Sequence, residues 1–183
     1  MKETLRWVRK NAAIYYIDTS RVVDMGFSAG GELAAFMGVT GNMPLFEGPN
    51  APSAIATNIN AVVNMDGILS FVHPESYEGD DSKRISAATY WFGYPRKDHE
   101  KIWEAASSLS YVGTSTPPTL FINSSVDRMH AGREDYIKAL QQYHTYTEVH
   151  SFEDASHAFC LFDPWFDPTV KYIDGFLKKI CNQ

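Results

Sequence analysis

The chain has 183 residues, of which 44% are hydrophobic, 14% aromatic and 21% charged. That composition suits one soluble folded unit and excludes a disordered, collagen-like or coiled-coil chain; with no apolar run of about 18 residues it also excludes a spanning helix. Sixteen Lys and Arg against 22 Asp and Glu leave a net charge of −6, which repels phosphate backbones and argues against nucleic acid as a partner.

Two cysteines, Cys160 and Cys181, are too few for a disulfide framework or a zinc site and leave room for one bridge or none. Met1 to Thr4 carries charge but leads into no apolar segment, so no signal peptide is expected in this chain.

In chain order, Met1 to Lys10 reads as a short amphipathic helix, with Leu5, Trp7 and Val8 set among charges. Asp18-Thr19-Ser20 makes a turn, and Arg21 to Phe27 follows as a strand. From Gly30 the period becomes helical, with Leu33, Phe36 and Met37 on one side. Residues Gly41 to Ser53 carry loop chemistry. Ile59 to Asp66 is a second, buried strand ended by Gly67. The aromatic-rich stretch around 70–110 predicts an insertion with two short helices, near Ser86–Phe92 and His99–Ser107. Thr119 to Ser124 is a third strand, Ala131 to Tyr143 an amphipathic helix, and Thr145 to Phe152 a fourth strand. A last helix runs from Pro168 to about Ile180, with the proline at its start. Strands separated by helices predict an α/β protein: a three-layer, mostly parallel sheet forming one domain over 1–183.

The informative pentapeptide is Gly26-Phe27-Ser28-Ala29-Gly30, a G-x-S-x-G pattern between a strand and a helix. Chemistry here needs a sharp turn that lifts the serine hydroxyl above the sheet. Small flanking residues let strand and helix approach, and the free N–H of Ala29 at the helix start can receive oxyanion charge. A serine becomes nucleophilic only when a base takes its proton and a carboxylate orients that base. In a nucleophile-elbow hydrolase these follow in the order Ser, acid, His. Asp127, three residues past the third strand, and His157, in the loop after the fourth, fill those places. Both lie beyond the carboxyl ends of strands, where open α/β sheets gather their sites.

The rivals weigh less. His130 lies too near Asp127 to leave a separate orienting acid, and His150 falls inside a strand. His73, His99 and His144 sit at turns or on polar surface. Glu134 and Asp135 fall on a helix facing solvent, and Asp154 is either a turn residue or an aid to the histidine loop.

On these residues the chain resembles the α/β-hydrolase esterases, and within them the bacterial acetyl-, feruloyl- and pectin-esterase-like carbohydrate esterases. Arg21 to Ala34, doubled glycine included, looks like their nucleophile elbow. Asn123-Ser124-Ser125-Val126-Asp127 stands in the place of their acid loop, with the usual His-Gly-Asp opening replaced. Ser156-His157-Ala158-Phe159 is similar to their histidine loop. The resemblance implies Ser28 as nucleophile, Asp127 as acid and His157 as base, with no metal or cofactor. It also implies four strands ahead of the elbow and a His-Gly-Gly-type oxyanion loop, neither of which this sequence contains, so the chain reads as the carboxyl-terminal part of such a domain.

The expected reaction is hydrolysis of carboxylic esters, acetyl or feruloyl groups on carbohydrate, through an acyl-enzyme. A peptidase of the prolyl-oligopeptidase type shares the elbow, and a non-catalytic hydrolase remnant is the reading from another class. Trp165, with Phe159, Phe162 and Phe166, is a candidate wall for a sugar or aryl group, although large rings more often serve the core. The elbow strand would lie at a sheet edge carrying Val22, Val23 and Met25, so self-association through it is expected.

Overall fold

The computed structural model describes residues 1–48 and 54–181. In chain order it contains α1 (Lys2–Tyr15), β1 (Val23–Phe27), α2 (Ala29–Val39), α3 (Pro44–Glu47), β2 (Ala61–Met65), α4 (Ala87–Phe92), α5 (Glu100–Ala105), β3 (Thr119–Asn123), α6 (Arg133–Gln142), β4 (Thr147–Ser151) and α7 (Phe166–Cys181). The four strands form one sheet in the order β1-β2-β3-β4, and every pairing is parallel.

Burial explains the strand sequences. All five residues of β2 and of β3 are buried, as expected for inner strands of a parallel sheet covered on both faces. Alternate side chains go to opposite faces. Val62 and Phe121 pack with Ala34, Ala35, Met37, Tyr136 and Leu140, which belong to α2 and α6, and Leu5 of α1 joins them. Ala61, Val63, Met65, Leu120 and Ile122 pack on the other side against Phe159 and Phe176, with Tyr172, Ile173 and Leu177 of α7. The result is the expected three-layer α/β arrangement.

The insertion forms a third cluster, in which Phe71, Ala88 and Trp103 meet Ile68, Met129 and Ala131. Those last three lie just beyond β2 and β3, so the insertion packs at the carboxyl-terminal edge of the sheet.

Several boundaries differ from the sequence reading. The first helix runs on to Tyr15 rather than ending near Lys10, and buried Arg6 ties it down through ion pairs to Glu3 and Glu47. The loop expected over Gly41 to Ser53 contains the short α3, and its part from 49 to 53 lies outside the described residues. The last helix begins at Phe166, two residues before Pro168. A proline is tolerated there because the first-turn N–H groups have no intrahelical acceptor in any case. Cys160 and Cys181 are both free thiols. Among the described residues no helix is long and apolar enough to cross a membrane.

Candidate active site

Ser28 sits between β1 and α2 with φ 55°, a conformation that side chains other than glycine rarely adopt and that marks a strained turn. Its N–H donates to the Met65 carbonyl at 2.8 Å, and its own carbonyl accepts the Glu32 N–H at 3.0 Å. The turn is thus tied to the next strand and to the first turn of α2.

Glycine is required at position 26, where a Cβ would lie 2.1 Å from the backbone of Gly30. Gly30 itself has open space where a Cβ would stand, so the second glycine of the pattern is not sterically demanded. The close approach is made instead by Gly67, where a Cβ would come within 2.4 Å of the Glu32 nitrogen.

His157 is carried by the loop after β4. Its ring lies 4.7 Å from that of Phe27, and the buried Phe159 sits edge-on to Phe27. Ser125 fixes the same loop, donating from both its backbone N–H and its hydroxyl to the Ala155 carbonyl. In this position Nε2 of His157 is 2.9 Å from Ser28 Oγ. Two of the three residues proposed from sequence are therefore within hydrogen-bond reach, separated by 129 positions in the chain.

The carboxylate on the other ring nitrogen is not Asp127. Nδ1 of His157 lies 3.0 Å from Oδ2 of Asp66. Asp66 is the first residue past β2, has φ 50°, and its side chain is fully buried. Its second oxygen accepts the Ser124 N–H at 2.8 Å and the Asn123 side-chain amide at 3.3 Å. Such donors offset the cost of burying the carboxylate's polar atoms. Asn64 shapes the turn that presents it: the side-chain amide donates to the carbonyls of Gly31 and Gly67, and its oxygen accepts the Gly67 N–H.

Asp127 instead opens a short 3-10 turn, is exposed, and lines a cavity of about 380 Å³ with Glu75, Tyr77, Arg128, His130, Arg133 and Glu134. β3 ends one strand further from the elbow than β2, and the turn after it carries Asp127 outward. A signal for Asp66 does exist in the sequence: an Asp-Gly pair directly after an unbroken buried strand.

Ala29 begins α2, so its N–H has no acceptor within the helix and stands next to Ser28. Trp165 is half-buried against the α7 cluster, and its indole N–H donates to Asp154 Oδ1 at 3.1 Å. That bond ties the ring to the histidine loop. Glu32, one turn along α2 from Ser28, has its carboxyl pushed up to about 7 by burial and by the nearby Glu78 carboxylate, with Arg128 opposing.

The comparisons with known proteins agree on the family. The BD-FAE family model matches residues 1–133. The chain belongs to the BD-FAE family. Esterase LipC of Mycobacterium tuberculosis is 27% identical over 134 residues, covering 69% of this chain and 31% of that protein. The chain therefore spans about a third of the length of that curated relative. A truncated form of a carbohydrate esterase from gut microbiota superposes with a TM-score of 0.77 at 22% identity, over 100% of this chain and 67% of that one. Est2, an esterase of Thermogutta terrifontis solved with propionate bound, superposes with a TM-score of 0.70 at 25% identity, over 98% of this chain and 63% of that one. This BD-FAE chain thus has the α/β fold of those esterases, and the elbow at Ser28 falls within the matched residues.

Proposed function

We propose that this BD-FAE chain carries the site of a serine ester hydrolase with Ser28 as nucleophile, His157 as general base and Asp66 as the orienting carboxylate. The observation that carries it is the unbroken line from Ser28 Oγ through both ring nitrogens of His157 to Asp66 Oδ2, with links of 2.9 and 3.0 Å. In this reading the Asp127 expected from the family pattern has no catalytic part.

The chemistry follows from that line. Ser28 Oγ attacks the ester carbonyl as its proton passes to His157 Nε2. Asp66 accepts a hydrogen bond from Nδ1–H, which fixes the tautomer and offsets the charge of the imidazolium. The carbonyl oxygen becomes an oxyanion, and the Ala29 N–H at the start of α2 stabilises it. Collapse expels the alcohol, which takes the proton from Nε2 and leaves an acyl-enzyme on Ser28. Water, deprotonated by His157, then releases the acid and restores the serine. These steps use only groups of the chain and water.

The substrate class is a carboxylic ester of carbohydrate bearing a small acyl group of the acetyl type. The likeness to a carbohydrate esterase and to a propionate-bound esterase supports this choice. Peptides are less favoured because the relatives are named esterases, and feruloyl esters because the acid bound in Est2 is short.

The test is turnover of p-nitrophenyl acetate and of an acetylated xylo-oligosaccharide by the chain and by Ser28→Ala. Turnover that disappears in the variant supports the reading. No turnover by either protein, with both folded, would place the chain among non-catalytic hydrolase remnants.

A further inference from the structure

Asp66 is approached by two histidines. His157 takes Oδ2, while Nε2 of His130 stands 3.7 Å from Oδ1 on the opposite side. The sequence offers His130 only as a weak rival base, and the structure places it against the acid instead. Its ring is held by its neighbours: Met129 and Ala131 are buried in the insertion cluster, and the Ala131 carbonyl accepts the Leu69 N–H at 2.9 Å. His130 also lines the 380 Å³ cavity, with Asp127.

Nε2 of His130 is buried and has no hydrogen-bond partner. A polar atom shut away from water costs free energy unless it is hydrogen-bonded. We propose that His130 is a positioning residue for Asp66, donating from Nε2 to Oδ1 and so holding the carboxylate from the side away from His157. The inference rests on Asp66 being the orienting acid of the proposed ester hydrolase.

The charges around the ring favour this arrangement. Asp66 faces it from the end of β2, the Ser124 carbonyl from the end of β3, Asp127 from its own turn and Arg133 from α6. Glu75, Tyr77, Arg128 and Glu134 line the same cavity. Burial first, then Arg133, lowers the His130 pKa, so the ring is neutral at pH 7 and carries a single N–H proton. Two acceptors compete for it, the Ser124 carbonyl and the Asp66 carboxylate. The ring already bonds the Ser124 carbonyl, and we place the proton on Nε2 because a charged acceptor makes the stronger bond once the 3.7 Å gap closes.

The gap of 3.7 Å exceeds hydrogen-bond length by well under an ångström, and catalytic contacts commonly tighten when substrate binds. Once His157 is an imidazolium, His130 adds a third donor to Ser124 and Asn123 on Oδ1, and a carboxylate so held keeps Oδ2 on Nδ1 through the transition state. The effect belongs in kcat and not in KM.

The experiment has two arms on the full chain. The first measures kcat and KM for p-nitrophenyl acetate from pH 5 to 9 in His130→Phe and His130→Gln, with active sites counted by a fluorophosphonate. His130→Phe, which keeps the bulk without the donor, is expected to lower kcat about tenfold at unchanged KM. His130→Gln, which restores an N–H donor, is expected to recover most of the loss. Equal rates for wild type and His130→Phe, or equal losses in both variants, overturn the proposal.

The second arm needs no turnover. Long-range 15N–1H spectra of histidine-labelled chain, assigned by the signal lost in His130→Gln, should show the Nε2–H tautomer. An Nδ1–H tautomer overturns the proposal even if esters are cleaved. Absence of Ser28-dependent turnover with an Nε2–H tautomer would sink the catalytic reading while leaving the His130–Asp66 contact standing.

Discussion

Ser28 and Asp66 occupy equivalent places on neighbouring strands. Phe27 and Met65 are the last matched residues of β1 and β2, and the residue after each takes a positive φ, 55° at Ser28 and 50° at Asp66. Two adjacent parallel strands thus end in the same kind of turn at the same edge of the sheet, and His157 from the loop beyond β4 closes over both. The packing that seats these turns is the first thing to test.

Gly26→Ala should destabilise the chain by at least about 1–3 kcal/mol, because the new Cβ meets rigid backbone of Gly30 rather than a movable side chain. Gly67→Ala should behave alike, against the backbone of Gly31 and Glu32. Gly30→Ala meets nothing and lies in a helix, so it should be neutral or stabilising by up to about 1 kcal/mol. Urea midpoints of the three variants check the ranking; a Gly30→Ala chain as damaged as Gly26→Ala would contradict it.

The Glu32 carboxyl titrates at about 7 in the folded chain against an ordinary value of 4.5. Between those values the folded chain holds a proton that the unfolded chain releases, so this residue's contribution to stability falls as pH rises through that window. Glu32→Gln removes the liability. Relative to wild type, the variant should gain about 1–3 kcal/mol between pH 4 and pH 8. Urea denaturation at the two pH values measures it, and a constant difference would show that Glu32 titrates normally.

Trp165→Phe keeps the ring in its apolar packing but removes the N–H that reaches Asp154. If the indole braces the histidine loop, kcat should fall a fewfold while KM for a sugar ester stays within twofold. A rise in KM with kcat unchanged would return Trp165 to the substrate wall.

β1 ends the strand order, and Met25 on it is 54% exposed. A sheet edge of this kind invites pairing with a second copy, and we propose that the purified chain self-associates there. Light scattering should find dimers or larger species at tens of micromolar chain, reduced in Met25→Lys. A monodisperse monomer would rule this out.

Much of this arrangement is legible in the residues. The elbow can be read because Gly26 and Ser28 are local requirements of one turn, and His157 because it follows the fourth strand where a base belongs. The layers follow from hydrophobic period. Asp66, by contrast, carries only one local mark, the Asp-Gly pair that ends its strand. Its role depends on β2 pairing directly beside β1, on Asn64 holding the Gly67 turn, and on donors from Ser124 and Asn123. The Asn123 and Ser124 donors lie 57 and 58 positions from Asp66 and β1 is a separate strand, so of these contacts only the Asn64–Gly67 turn is local. The Trp165–Asp154 bond is likewise invisible in the sequence, where an aromatic beside a loop reads alike whether or not it reaches back to that loop.

The choice of acid is the centre of the account, and a pair of variants tests it. Asp66→Asn keeps the shape but removes the charge that orients His157, and Asp127→Asn alters an exposed side chain in the neighbouring cavity. With p-nitrophenyl acetate, and both variants shown to be folded, kcat should fall about 10³–10⁴-fold in Asp66→Asn and stay within twofold of wild type in Asp127→Asn. A collapse of kcat in Asp127→Asn with Asp66→Asn nearly intact would contradict the account.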